Sequence, residues 1–69
     1  MNQHQRIEKY MDDFGSISPM EAFADLGITK LATRVSEMIR DGAKIAKRIE
    51  TGVNRYGAKI HYTRYTKAG

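Results

Sequence analysis

The chain contains no cysteine and no tryptophan, and only one proline and two histidines among its 69 residues. Without cysteine, neither a disulfide framework nor a thiolate zinc cluster can staple the fold. His4 and His61 are too few and too scattered for a structural metal site, and no cofactor is expected. No wholly apolar run exceeds three residues, so neither a membrane span nor a signal-type apolar segment is present. The expectation is a soluble cytoplasmic protein. Catalytic constellations are also scarce. Asp12 and Asp13 are adjacent and diverge on a helix, and His61 has no carboxylate orienter near it in sequence, so no enzymatic activity is expected.

What is present is charge, unevenly distributed. The formal net charge is +4, but residues 1–28 sum to −3 and residues 42–69 to +6. The positive field belongs to the C-terminal half and points to a polyanion or an acidic protein surface as partner. A chain of this length makes one small domain with a large surface relative to its interior. The expected domain covers residues 1–66, with a flexible tail over 67–69.

Hydrophobic periodicity divides the chain into elements. Between Gln3 and Phe14, the residues Ile7, Tyr10, Met11 and Phe14 fall at i, i+3, i+4 and i+7, one face of a helix that Gly15 ends. Ser18, Pro19 and Glu21 occupy the N-cap, N1 and N3 positions of a capping box. The second helix that they open is expected to bury Met20, Ala22 or Phe23, and Leu26, and to stop at Gly27. A tight connection leads to Thr29, the candidate cap of a third helix with an inner stripe of Leu31, Val35, Met38 and Ile39, stopped by Gly42.

Beyond Gly42 the pattern turns to strand formers. Residues 44–50 and 59–65 read as a hairpin with its tip over 51–58, where Asn54 and Gly57 permit left-handed backbone. Because a two-stranded hairpin is marginal alone, the isolated Ile17 suggests a third short strand near residues 16–18. The class is α+β.

This order of elements, with "SISPMEAFADLGITKLATRVSEMIRDG" followed by "NRYGAKIHYTRY", resembles the winged helix-turn-helix, in particular short helix-turn-helix proteins of phages and bacteria. The resemblance covers Gln3 to Tyr65. It implies double-stranded DNA binding through a recognition helix and a basic wing, in transcriptional regulation or as a recombination accessory of a phage or mobile element. The same fold also serves protein contacts, as an assembly subunit or an inhibitor of a nucleic-acid enzyme.

On this reading Thr29, Lys30, Thr33 and Arg34 lead the third helix into the major groove, followed by Glu37. Arg34 matches guanine O6 and N7, and Thr33 a thymine methyl or a phosphate. Arg55, flanked by Asn54 and Tyr56, projects from the wing tip toward a minor groove or phosphates. Lys47, Arg48, Lys59 and Arg64 form a backbone-contacting field. Tyr62 and Tyr65 are expected to pack on the sheet, leaving Tyr56 as the freely presented tyrosine. Lys44 follows a helix C-terminus, where a cation is favoured whatever the ligand. The first helix needs all of its apolar stripe for one core, so a monomer is expected in isolation, with a homodimer on DNA as the arrangement for reading two half-sites.

Overall fold

The computed structural model describes residues 1–68. Its elements are α1 (Gln3–Phe14), β1 (Ser16–Ile17), α2 (Pro19–Leu26), α3 (Leu31–Arg40), β2 (Ile45–Val53) and β3 (Lys59–Lys67). Three helices are followed by a β-hairpin wing, and β1 joins it to make an antiparallel sheet in the order β1-β3-β2. Ser16 lies opposite Thr66 and Ile17 opposite Tyr65. The wing extends the molecule to 38 Å along its longest axis, against 23 and 21 Å across.

The helix boundaries follow from local chemistry. Asn2 caps α1 in a reciprocal pair with Gln5: the Gln5 amide donates to Asn2 Oδ1 at 2.8 Å and the Asn2 amide to Gln5 Oε1 at 3.0 Å. Ser18 and Glu21 form the expected box at the start of α2, at 3.3 and 2.9 Å. Gly15 and Gly27 end α1 and α2 with φ of +87° and +68°, a left-handed conformation that an L side chain resists. The third start differs from expectation. Lys30, not Thr29, is the N-cap of α3, and no side chain caps it.

The core joins Ile7, Tyr10 and Met11 of α1 with Ala22 of α2, the stripe Leu31, Val35 and Met38 of α3, and Ile17 and Tyr65 of the sheet. Ile28 belongs to it as well, although it lies in the connection between α2 and α3. Three residues assigned to the interior by periodicity lie outside it: Phe14, Met20 and Ile39 are exposed, and of the two alternatives in α2 it is Ala22 that is buried and Phe23 that is exposed. Phe14 at the end of α1 reaches back onto Tyr10, with ring centroids 4.6 Å apart, and covers that ring from the solvent side. The eight-residue α2 buries only Ala22, with Leu26 partly buried, so its Met20 and Phe23 edge faces outward.

Tyr10 also binds α1 to α2, its hydroxyl donating to Asp25 Oδ2 at 2.6 Å. That hydrogen bond, with burial adding to it, pushes the phenol up to about 12. The tail begins later than residue 67. Lys67 is the last residue of β3, and its ammonium lies 2.8 Å from Asp12 and 3.4 Å from Glu8 of α1. The Ala68 amide donates to the Lys44 carbonyl at 2.9 Å, and Gly69 lies outside the described residues.

Candidate nucleic-acid interface

A helix turns 100° per residue, so the α3 face opposite Leu31, Val35 and Met38 is fixed by the core stripe. That outward line runs through Thr33 and Arg40, with Ser36 on one side of it and the half-buried Glu37 on the other, while the exposed Thr29 and Lys30 precede the helix. Arg34 and Glu37 stand off this line, on the flank that meets the start of α1. Both are about two-thirds covered and lie 3.3 Å apart, and His4 of α1 approaches Glu37 Oε1 at 2.8 Å. The His4 hydrogen bond, reinforced by Arg34 against the opposing effect of burial, holds the Glu37 carboxyl below its ordinary 4.5. Arg34 Nε is buried with no partner among the described residues. Ser36 and Arg40 were not singled out in the sequence. The signal for them was their spacing of seven and eleven residues from Thr29, on the side opposite the apolar stripe.

The wing tip is a self-contained turn. The Asn54 amide donates to the Ala58 carbonyl at 2.9 Å and the Gly57 amide to the Asn54 carbonyl at 3.0 Å. The Asn54 side-chain oxygen accepts from the Tyr56 and Ala58 amides, at 2.9 and 3.0 Å. With φ of +80° at Gly57 alone, this is a type I turn closed by a glycine bulge. Asn54 therefore shapes the tip with its side chain rather than with left-handed backbone, and it is occupied in doing so. Arg55 and Tyr56 project beyond it, Tyr56 being 90% exposed.

Register divides the basic field expected on the hairpin. Residues directly opposite each other share a face of the sheet. Lys47 stands opposite the buried Tyr65, and Lys59 opposite Val53, so both lysines lie on the Tyr65 face, the one whose Lys67 pairs with α1. Arg48 stands opposite Arg64 on the other face, with Glu50 beside them. Arg64, expected to meet a ligand, is engaged inside the molecule instead. Its Nε donates to Glu50 Oε1 at 2.6 Å, and its Nη1 to Glu21 Oε1 at 2.8 Å and to Ser16 Oγ at 3.0 Å. Its side chain is 17% exposed and lies over the Tyr62 ring at 6.0 Å. Arg48 shares the same carboxylate, at 3.0 Å from Glu50 Oε2. The hydrogen bond from Arg64 outweighs burial and draws Glu50 below its ordinary 4.5.

A charge inventory follows from these pairings. Glu8, Asp12, Asp13, Glu21, Glu37 and Glu50 are each matched to a cation, and Asp25 accepts from Tyr10. Among the described residues, Arg6, Lys30, Arg40, Lys44, Lys47, Arg55 and Lys59 enter none of these ion pairs, and neither does the carboxylate of Asp41. Apart from Arg6 on α1, these unmatched cations lie at the two ends of α3, just after it and on the wing. No helix is long and apolar enough to cross a membrane.

Comparison with protein families gives a match over residues 2–67 to the model described as a winged helix-turn-helix domain. No curated protein and no solved structure matches the chain.

Proposed function

Because the chain belongs to the winged helix-turn-helix domain family, a non-catalytic DNA-binding architecture, we propose that it binds double-stranded DNA with α3 in the major groove and the wing on the adjacent backbone. The observation that carries this reading is the separation of charge. Among the described residues, every carboxylate but Asp41 is matched within the protein, while six of the seven unmatched cations, all but Arg6, gather around α3 and on the wing. Such a distribution leaves a net positive surface where a phosphate backbone can release its counterions.

Within this reading Thr29, Lys30, Thr33, Ser36 and Arg40 face the groove, and Arg40 supplies its planar fork. Arg55 and Tyr56 at the tip, with Lys47 and Lys59 on the Tyr65 face of the wing, contact phosphate and sugar. Arg34 and Glu37 act from the flank, each orienting the other. Binding of this kind suits transcriptional regulation or an accessory role in recombination in a phage or bacterial setting.

The test is titration of isotopically labelled protein with random duplex DNA at rising salt. Amide shifts are expected over residues 29–40 and 47–59 and should recede steeply as salt rises. Arg40→Ala should weaken binding by about tenfold, and Arg34→Ala by clearly less, since a base-edge contact contributes on the order of 1–3 kcal/mol. A duplex that shifts neither segment at low salt defeats the proposal and transfers the basic wing to an acidic protein partner.

A further inference from the structure

The sheet order β1-β3-β2 leaves β2 with a neighbour on one side only, and its nine residues contain neither proline nor a bulge. The phase of its hydrogen bonds is fixed at both ends. The Lys44 carbonyl accepts from Ala68, and the Asn54 amide donates to Ala58. Even-numbered residues of β2 therefore turn their peptide groups toward β3, and odd-numbered residues 45–53 turn theirs outward. An edge of this length is a template for another strand.

We propose that the partner of this edge is β2 of a second copy, paired antiparallel about a two-fold axis at Ile49. The sequence of the strand is complementary to itself in that one register. Full overlap of Ile45–Val53 with its own reverse places Arg48 opposite Glu50 twice, Ile45 opposite Val53 twice, Lys47 opposite Thr51 twice, and Ile49 opposite itself. Opposite charges facing each other across a ladder stabilise it, and like charges destabilise it. Moving the axis one residue sets Arg48 against Arg48 or Glu50 against Glu50. Charges that commonly protect an edge here select a register.

Ile49 and Val53 are each 68% exposed on the Tyr65 face, and the pairing covers both. The product is a six-stranded sheet with the Tyr65 faces of both copies on the same side. This surface is independent of the α1 stripe, whose engagement in the core was the reason to expect a monomer.

The first test needs no variant. Amide exchange at Lys47, Ile49 and Thr51, whose N–H groups face outward in a single copy, should slow as protein concentration rises, while sedimentation shows a dimer. The second uses Ile49→Lys and Ile49→Glu, at an exposed position that the fold does not need. Each variant alone sets like charges on the axis and should weaken self-association more than tenfold, and mixing the two should restore a dimer containing one of each. A chain that stays monomeric to about 1 mM, the weak end of specific affinity, overturns the proposal. So does a dimer that Ile49→Lys and Ile49→Glu leave intact, or a mixture that yields no heterodimer.

Discussion

Deleting the guanidinium of Arg64 would leave Glu50 and Glu21 without their shared cation in a partly covered setting, and would free Ser16 at the sheet junction. Hydrogen bonds to charged groups are each of order 1.5–3 kcal/mol when one partner is lost. Arg64→Ala should therefore lower stability by about 2 kcal/mol in denaturant unfolding, while the DNA affinity of the remaining folded protein changes little. A variant with native stability and weakened DNA binding would return Arg64 to the interface. None of this was legible in the sequence, where Arg64 is one cation in a basic strand. Its partners lie 14, 43 and 48 residues away, and such proximity is set by tertiary packing. Asn54 shows the opposite case: an asparagine three residues before a glycine marked the turn, and only the means, side chain rather than backbone, differed.

At the scale of elements, what could be read was what local chemistry decides. The capping box at Ser18 and the glycine stops at Gly15 and Gly27 depend on neighbours within four residues, and they stand where the pattern put them. What could not be read was how much of each stripe the next element covers, so Phe14, Met20 and Ile39 were placed inside although they stay exposed. The start of α3 adds a consequence of its own. Lys30 at its N-cap supplies no acceptor and sets a cation at the positive end of the helix dipole, a choice that stability alone disfavours. Lys30→Ser should raise stability by about 0.5–1 kcal/mol, seen as a melting midpoint higher by several degrees, and should weaken DNA binding. Gain of stability with unchanged affinity would remove Lys30 from the proposed interface.

For the whole molecule, acid reveals how the parts are held together. Glu37 ties the start of α1 to α3, and Glu50 ties the two wing strands to α2 through Arg64. Both carboxyls sit below their ordinary 4.5 in the folded chain, so the unfolded chain takes up more protons as pH falls. Stability then rises with pH across this window: it is fully present above the ordinary carboxylate value and is lost as pH drops through the depressed ones. Thermal midpoints should be flat from about pH 7 to 5 and fall below about pH 4.5, and Glu50→Gln should shrink the fall. A midpoint indifferent to acid would mean that these pairs are screened out.

The wing tip has a further consequence for how such a domain can diversify. Asn54 and Gly57 between them fix the turn, so the two positions they enclose, 55 and 56, answer to nothing in the interior. They form an interchangeable cassette. Randomising that pair in a library would alter what the wing grips while leaving the melting temperature in place, which separates the evolution of preference from the upkeep of the fold.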